Sequence, residues 1–319
     1  MSMASVSLLL FAAAAATPIP SPQPIAQPPQ ASESTPIIVA FGDEGTRMTV
    51  PVTIADSGPY RFIVDTGAQR TVISRQLAAT LGLPPGRNVR LIAMADSVNV
   101  GTVIIPSISL GDIGGKKIEA PMLEGTHLGA PGMLGIDTLQ NHAVAIDFDR
   151  QEMAVTRSNK RRPKSFGSPD EIVVRAKSLF GQLVVTDAYY GNTRVRVIVD
   201  TGSAVTMGNP ALQRKVSRRA KPMTPISMMS VTGTYLNADY TQISRVSLGD
   251  IVMSDIPVAF ADALPFRRFG LVDQPALLLG MDTLKLFRRV RIDFANREIR
   301  FQLPRDAMRA VPGGSSVTR

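Results

Sequence analysis

The sequence of 319 residues contains no cysteine and only two histidines, His127 and His142. The absence of cysteine excludes disulfides, thiol nucleophiles and cysteine-ligated zinc or iron–sulfur centres. Two histidines are too few for a histidine-rich metal site, so we expect no metal and no cofactor. Charged residues make up 19% and hydrophobic residues 44%, with a mean hydropathy of +0.09, which excludes a disordered chain and a polytopic membrane protein. This length predicts about two domains.

Acidic residues are outnumbered by basic ones, 26 against 35, which gives a net charge of +9 and a pI near 10.2. The excess is concentrated at 157–164, with five basic residues and no acid, and at 285–309, with eight basic residues and three acids. No helix-turn-helix, zinc finger or aromatic RNA-reading motif accompanies this charge, so we expect no nucleic-acid partner. We interpret 157–170 as a solvated basic linker; the alternatives are a processing site and contact with anionic lipid.

The first 36 residues differ in composition from the rest of the chain. Residues 6–16 form an apolar run within the range of about 7 to 15 residues typical of a secretory signal, and shorter than the roughly 20 of a spanning helix. Alanines at 14–16 suit signal peptidase, although no basic residue precedes the run. We predict a signal peptide at 1–16 and a periplasmic or secreted protein; the alternatives are an uncleaved membrane anchor and a frayed apolar terminus. Seven prolines at 17–36 predict an extended linker.

An internal repeat organises the rest of the chain. Four landmarks recur in the same order, at offsets that rise from 135 to 146 residues: Asp-Thr-Gly at 65–67 and 200–202, Ser-Leu-Gly-Asp at 109–112 and 247–250, Leu-Gly-x-Asp-Thr-Leu at 134–139 and 279–284, and Ile-Asp-Phe at 146–148 and 292–294. A period of this length indicates two copies of a whole domain. We predict domains at 37–156 and 171–304, followed by a tail at 305–319.

Each copy has the pattern of a β domain with short helices. Alternating or β-branched apolar residues predict strands at 48–54, 60–64 and 194–199. One short helix per copy is predicted at 74–81 and 209–219. Asp137 and Asp282 precede short helical runs, and we predict that they are helix N-caps. The copies are therefore expected to be all-β with two minor helices each.

Two Asp-Thr-Gly triplets follow apolar β-runs at the same point of each copy. Phe-Ile-Val-Asp-Thr-Gly-Ala lies at 62–68 and Val-Ile-Val-Asp-Thr-Gly-Ser at 197–203, and an apolar-apolar-Gly sequence follows at 133–135 and 278–280. In these residues the chain resembles the aspartic protease superfamily. Each copy is similar to a retroviral-type (retropepsin-like) domain, and the tandem arrangement is similar to the single chain of pepsin-like enzymes. The resemblance implies two homologous β-barrel domains related by pseudo-twofold symmetry.

The resemblance assigns the catalytic dyad to Asp65 and Asp200, one from each domain, and implies an aspartic endopeptidase that acts on peptides or proteins. Two carboxylates about 3 Å apart cannot both ionise, so they hold one proton between them. The ionised partner would activate a water, and the protonated partner would supply a proton to the scissile carbonyl. This chemistry needs no metal and no thiol.

The residues after each aspartate are expected to support the dyad. Gly67 and Gly202 would let the two loops approach each other without a Cβ clash. The resemblance implies that Thr66 and Thr201 hydrogen-bond across to the opposite loop and hold the dyad together. The alternative is that both hydroxyls are ordinary turn hydroxyls.

The two loops differ at the next position, which is Ala68 in the first copy and Ser203 in the second. A hydroxyl that donates to a carboxylate stabilises its charged form. We therefore predict that the Ser203 hydroxyl binds the Asp200 carboxylate. Asp200 would then be the more readily ionised member, and Asp65 would more often carry the shared proton.

Segments 91–101 and 226–236 occupy the positions of the flaps that close over substrate in this family. Their candidate substrate-binding residues are Met94, Met228, Met229 and Tyr235. The methionines are interpreted as core packing or as an adaptable subsite wall. The tyrosine is a candidate flap tyrosine, although the first copy has no counterpart.

Two rival hypotheses keep the fold but change the function. In one, the chain is a catalytically silent peptide-binding or scaffolding module; intact Asp-Thr-Gly triplets in both copies argue against it. In the other, each copy pairs with its counterpart in a second chain, so that a homodimer replaces the monomeric pseudo-dimer. Other catalytic classes lack support, because no Gly-x-Ser-x-Gly, His-Glu-x-x-His, P-loop or Gly-x-Gly-x-x-Gly motif is present.

Overall fold

The computed structural model describes residues 37–40, 48–110, 113–158, 171–179, 181–216, 222–304 and 315–317. The predicted signal peptide, the proline-rich linker, most of the basic linker and most of the tail therefore lie outside the described residues. Within these ranges, no helix is both long and apolar enough to cross a membrane. The described chain consists mostly of strands, which confirms the predicted all-β class.

In its described residues, the first domain contains strands of up to 14 residues and three helices of one or two turns. Its strands are β1 (Ile37–Ala40), β2 (Thr49–Ile54), β3 (Ser57–Val64), β4 (Val72–Ser74), β5 (Pro85–Ile92), β6 (Ser97–Leu110), β7 (Ile113–Leu123), β8 (Gly132–Leu134), β9 (His142–Asp147) and β10 (Glu152–Arg157). Its helices are α1 (Arg75–Thr80), α2 (Gly125–Leu128) and α3 (Ile136–Leu139).

Six of these strands form a closed barrel. They pair in the order β2, β3, β8, β4, β7 and β6, and β6 returns to pair with β2. Along β2, half-buried and buried residues alternate, because successive side chains of a strand point to opposite faces. Val50, Val52 and Ile54 therefore face the barrel core with Phe62. The outer strand β5 forms a long hairpin with β6 whose tip lies at 93–96.

The second domain repeats this arrangement with twelve strands and three helices in its described residues. Its strands are β11 (Glu171–Leu179), β12 (Gln182–Tyr190), β13 (Thr193–Val199), β14 (Met207–Gly208), β15 (Thr224–Met229), β16 (Tyr235–Ile243), β17 (Val246–Leu248), β18 (Ile251–Met253), β19 (Ile256–Phe260), β20 (Ala276–Leu279), β21 (Arg289–Asp293) and β22 (Glu298–Gln302). Its helices are α4 (Pro210–Val216), α5 (Leu264–Arg268) and α6 (Met281–Leu284), and a further strand, β23 (Ser315–Val317), pairs with β18.

The second ring closes in the same order with one interruption. Strands β12, β13, β20, β14, β19 and β16 pair in sequence, and the chain leaving β16 continues as β17, which pairs with β12. Strands β15 and β16 form the hairpin equivalent to that of β5 and β6, with its tip at 230–234. The shared order of pairing makes the two domains structural repeats, in agreement with the sequence repeat.

An antiparallel sheet joins the two domains. Its strand order is β1, β10, β9, β21, β22 and β11, so that equivalent strands lie on either side of the central β9–β21 pair. Buried residues of this sheet, such as Ile146 and Val290, belong to one hydrophobic cluster that reaches into both barrels. Arg288 pairs with Asp149 across the domains at 2.7 Å. Part of the basic 285–309 segment is therefore engaged in ion pairs within the sheet.

The helices differ from the prediction in number and in their caps. Within the residues that the structure describes, each domain has three short helices rather than two, and α2 and α5 are the helices that were not predicted. The predicted helix at 74–81 is observed as α1, with the hydroxyl of Ser74 accepting a hydrogen bond from the N–H of Leu77 at 3.1 Å. The predicted helix at 209–219 is described as α4, over a shorter range.

The prediction that Asp137 and Asp282 are helix N-caps is wrong. The N-caps of α3 and α6 are Gly135 and Gly280, and each aspartate lies inside its helix. The carboxylate of Asp137 instead accepts hydrogen bonds from the backbone N–H and the hydroxyl of Thr71, at 2.9 and 2.7 Å. Asp282 makes the same two bonds in the second domain. These aspartates therefore tie each short helix to the loop that carries the preceding Asp-Thr-Gly triplet.

Candidate active site

Asp65 and Asp200 lie at equivalent ends of two buried strands. Asp65 follows β3 and Asp200 follows β13, and their backbone N–H groups donate to Leu134 and Leu279 at 3.0 Å each. The apolar residues before each aspartate are buried inside the barrels, so the chain must turn as it leaves the core. The two residues are 8% and 5% exposed, so both aspartates are largely shielded from water.

The two loops approach each other so closely that each carboxyl group lies against the glycine of the other loop. A Cβ atom built on Gly67 would lie 2.5 to 2.7 Å from the carboxyl atoms of Asp200. One built on Gly202 would overlap with the carboxyl group of Asp65. Real Cβ contacts are longer than this, so only glycine permits the arrangement.

The threonines of the two triplets hydrogen-bond across the junction of the domains. The hydroxyl of Thr66 donates to the carbonyl of Val199 at 2.8 Å, and the hydroxyl of Thr201 donates to that of Val64 at 2.7 Å. Each hydroxyl also accepts from the backbone N–H of the other threonine at 3.1 Å. Four buried hydrogen bonds therefore join the loops, in a network that obeys the pseudo-twofold symmetry.

Each aspartate is also held within its own loop. Oδ1 of Asp65 accepts from the backbone N–H groups of Gly67 and Ala68, at 2.7 and 2.9 Å. Oδ1 of Asp200 accepts the two equivalent bonds, at 2.9 and 3.2 Å. One oxygen of each carboxyl group is thus fixed by the backbone, which orients the group toward its counterpart.

The prediction for the Ser203 hydroxyl is wrong. This hydroxyl donates to the backbone carbonyl of Val205 at 2.7 Å, and it is the backbone N–H of Ser203 that binds Asp200. Ala68 provides an equivalent N–H to Asp65. The side-chain difference between the two loops therefore gives Asp200 no additional donor, and the predicted preference for an ionised Asp200 has lost its basis.

The protonation of the pair follows from burial and mutual repulsion. Burial raises the pKa of Asp200 well above its ordinary value, and the charge of Asp65 and a hydrogen bond between the two side chains raise it further. The backbone N–H groups of Gly202 and Ser203 act in the opposite direction but do not outweigh these effects. The pair is therefore expected to retain one proton at pH values where isolated carboxyl groups have lost theirs.

Gln182 is a site residue that the sequence analysis missed. Its Nε2 donates to the backbone carbonyl of Gly67 in the other domain, and the residue is only 3% exposed. Its Oε1 has no hydrogen-bond partner. A polar side chain at the start of the apolar strand β12 was the available signal, because a buried amide needs a partner. The equivalent position in the first domain lies outside the described residues.

A cavity of about 580 Å³ lies above the dyad and is large enough for several substrate side chains. Both aspartates, Gln182 and residues from both hairpins line it. Met94, Met228 and Met229 are among the lining residues, so a role in a subsite wall stays a prediction for these three side chains. Tyr235, in contrast, is 66% exposed and does not belong to the lining. It lies at the base of the hairpin tip, paired with Met229 across the strands.

The tips of the two hairpins meet beside this cavity. The carboxylate of Asp96, at the first tip, accepts from the hydroxyls of Thr232 and Thr234, at the second tip, at 2.7 Å each. The carbonyl of Met94 accepts from the N–H of Leu264, the first residue of α5, at 3.0 Å. Each hairpin therefore reaches the opposite domain, and the two together cover the cavity like paired flaps.

The described residues contain no group of three or more histidine, cysteine, aspartate or glutamate side chains with the spacing of a metal site. The site itself contains two adjacent carboxyl groups between two β-barrel domains, each of which contributes a hairpin to the cavity. This combination defines the aspartic protease class.

Comparisons with known families agree with this assignment. Residues 50–141 match the family model described as gag-polyprotein putative aspartyl protease, and residues 186–283 match the one described as aspartyl protease. Together the two matches cover more than half of the 319 residues. The chain therefore belongs to the aspartic protease superfamily, with two tandem retropepsin-like domains. No curated protein matches the chain.

Proposed function

We propose that the chain is an active aspartic endopeptidase that hydrolyses peptide bonds with a water activated between Asp65 and Asp200. The observation that supports it most is the approach of each carboxyl group to the glycine of the opposite loop. A scaffold that only bound peptides would have no need for two buried carboxyl groups this close, because their repulsion destabilises the fold.

The proposed reaction has two steps, and each step transfers protons through the dyad. The ionised carboxyl group removes a proton from the water as it attacks the carbonyl carbon, and the protonated one donates its proton to the carbonyl oxygen. The resulting tetrahedral diol then transfers a proton through the dyad to the leaving nitrogen, and the C–N bond breaks. The hydrogen bonds to Oδ1 of each aspartate would keep the two groups aligned throughout.

We propose a peptide or protein substrate and a monomeric enzyme. One chain contributes both aspartates, and residues of both domains line the cavity, so a second copy is not needed to complete the site. Sizing of the purified chain beside an activity measurement tests this. Activity confined to a dimeric fraction would favour the intermolecular arrangement.

We also propose that the enzyme works in the periplasm or outside the cell. The apolar run at 6–16 and the alanines at 14–16 support this proposal. Expression in a bacterial host, followed by fractionation and N-terminal sequencing of the recovered chain, provides the test. A mature chain that begins at Thr17 is the expected result, and a cytoplasmic chain with an intact N-terminus would contradict the proposal.

Cleavage of an unfolded protein and of a diverse peptide library, from acidic to neutral pH, tests the activity itself. The full chain is compared with Asp65→Asn and Asp200→Asn, and with Asp262→Asn as a matched control, because Asp262 is exposed and pairs with Arg267 outside the cavity. We expect both dyad variants to be inactive and the control to retain activity. A folded wild-type chain that binds peptides without cleaving them would favour the binding module.

A further inference from the structure

The cavity above the dyad carries an excess of positive charge. Arg70, Arg90 and Arg268 all belong to its lining, whereas Asp65 and Asp200 are the only carboxyl groups among the described lining residues. Because the dyad holds a proton, its net charge is about −1. A substrate that enters the cavity therefore meets more cationic than anionic groups.

Two of the arginines have uncharged counterparts in the other domain. Gly135 contacts the backbone of Arg70 and Gly280 contacts that of Val205 in the same way, so valine replaces Arg70 in the second domain. Arg90 lies two residues before the end of β5, and Ser227 holds this place in β15. The pseudo-twofold symmetry therefore relates cationic positions to neutral ones.

The third arginine has a histidine as its counterpart. Arg268 and His127 each lie two residues before a glycine with left-handed backbone, Gly270 (φ 66°) and Gly129 (φ 68°). The His127 ring contacts Gly233 at the second flap tip. Val205 and His127 line the cavity at the positions related to Arg70 and Arg268, so this half of the lining lacks the permanent charges of the other half.

The three arginines gather at one end of the cavity. Nη2 of Arg268 donates to Oε1 of Gln69 at 2.6 Å, and Gln69 is the neighbour of Arg70 in the chain. The hairpin that carries Arg90 contacts α5, the helix of Arg268, through its tip. Arg90 in turn donates to the hydroxyl of Ser97 at 2.7 Å. Each of these two side-chain bonds therefore has a neutral oxygen as its acceptor.

The positive charge of Arg70 is partly neutralised by a carboxylate that does not line the cavity. Glu119 lies 4.0 Å from Arg70 and 3.1 Å from Arg87, so one acid is shared between two cations. Thr102 and the backbone of Arg87 donate to this carboxylate, which lowers the pKa of Glu119 and keeps it ionised. Even with Glu119 counted, this end of the cavity retains a net positive charge.

We propose that this cavity selects peptides with an acidic side chain on one side of the scissile bond. The proposal rests on the proposed function. Apolar residues would occupy the positions next to the scissile bond, because the walls beside the dyad are apolar in both domains: Val72, Leu123, Met133, Val205, Met207 and Leu278. The acidic side chain would extend toward Arg70, Arg90 and Arg268, whose guanidinium groups supply the positive charge at this end of the cavity.

The first test measures turnover. All peptides share the same apolar residues at the scissile bond. Glu, Gln or Lys is placed in turn at each position before and after these apolar residues, and kcat/KM is measured for each peptide. We expect Glu to exceed Gln by about fivefold to tenfold on one side only, because each exposed ion pair contributes a modest factor. The Arg90→Gln/Arg268→Gln variant should lose most of this preference, so that its kcat/KM for the Glu peptide approaches its own kcat/KM for the Gln peptide. Equal rates for Glu and Gln on both sides would overturn the proposal.

Arg267→Gln provides the matched control. Arg267 neighbours Arg268 on α5, but it pairs with Asp262 and does not line the cavity. The control should keep the full preference for Glu, and raised salt should weaken that preference in the wild type and the control alike. A loss of preference in Arg267→Gln equal to that of the double variant would show a general surface effect and contradict the assignment.

The second test measures binding and does not depend on turnover. Fluorescent peptides with a hydroxyethylene group in place of the scissile amide carry Glu or Lys at the selected position, and their Kd values are determined by anisotropy. Tighter binding of the Glu peptide without any cleavage activity would support the charge selection and contradict the proposed endopeptidase. Cleavage of the Glu and Lys peptides with equal Kd and equal kcat/KM would support the proposed endopeptidase and contradict the charge selection.

Discussion

Thr201→Val isolates the hydrogen bonds that join the two aspartate loops. Valine has nearly the shape of threonine, but it cannot accept from the N–H of Thr66 or donate to the carbonyl of Val64. Thr201 is 0% exposed, so water cannot replace either bond. A buried donor or acceptor left unpaired costs about 1 to 3 kcal/mol, and two such groups are left, so we expect the free energy of unfolding to fall by about 2 to 6 kcal/mol.

Urea denaturation followed by circular dichroism measures this loss, and two variants serve as controls. Thr201→Ser keeps the hydroxyl and should lose less than half as much as Thr201→Val. Thr80→Val removes an exposed hydroxyl that bonds within helix α1, and its effect should stay within about 0.5 kcal/mol. A Thr201→Val chain as stable as the wild type, or no more affected than Thr201→Ser, would refute the reasoning.

The symmetry of the network allows a further check. Thr66→Val should cost about as much as Thr201→Val, because Thr66 makes the equivalent bonds to the opposite loop. The two effects should not simply add, because the two hydroxyls lie 3.4 Å apart within one buried network and each variant disturbs the surroundings of the other. Additive losses in the double variant would show that the two threonines act independently.

Three further predictions concern the dyad and the flaps. Gly202→Ala should displace the Asp65 carboxyl group by about 1 Å and lower kcat/KM about 100-fold. The control is Gly101→Ala, whose Cβ would meet only flexible side-chain ends and whose kcat/KM should stay near that of the wild type. Equal rates for the two variants would contradict the dyad geometry. Because burial and Asp65 raise the pKa of Asp200, the folded chain binds this proton more tightly than the unfolded chain, so the contribution of Asp200 to stability falls as the pH rises above 3.8. As the pH rises toward neutral, the thermal midpoint of the wild type should therefore fall relative to that of Asp200→Asn. A difference between the two midpoints that does not change with pH would argue against a raised pKa. Asp96→Ala should speed hydrogen exchange at both hairpin tips and leave the barrels unchanged, because it removes the bonds between the tips; unaltered exchange at the tips would show that they close without Asp96.

Local patterns account for the features that were predicted correctly. The alternation of apolar residues along β2 predicts a strand that is buried on one face, because successive side chains of a strand point to opposite faces. The apolar run at the end of β3 predicts a strand that is buried on both faces. The Ser74 cap of α1 depends on residues three positions apart, which the sequence displays side by side. The internal repeat shows the same strand patterns in both copies and places an Asp-Thr-Gly triplet at the same point of each.

The wrong predictions involve a polar group with more than one partner in reach. The Ser203 hydroxyl could bind the carboxylate or a backbone carbonyl, and the path of its loop brings the carbonyl of Val205 within 2.7 Å. Asp137 lies in the first turn of its helix, but Thr71, far away in the sequence, offers it two donors. A choice between partners depends on distances, which residue type and spacing do not determine.

The sequence alone determined the class, the repeated domain and the positions of the two Asp-Thr-Gly triplets, because all three depend on short motifs and on hydrophobic periodicity that repeat along the chain. The tertiary structure decided how the site is completed. Gln182 reaches the loop of Gly67, Asp96 joins the flap tips, and three arginines from distant segments collect at one end of the cavity. These contacts join residues of different domains, and only the packing of the two barrels around their common sheet brings them within bonding distance.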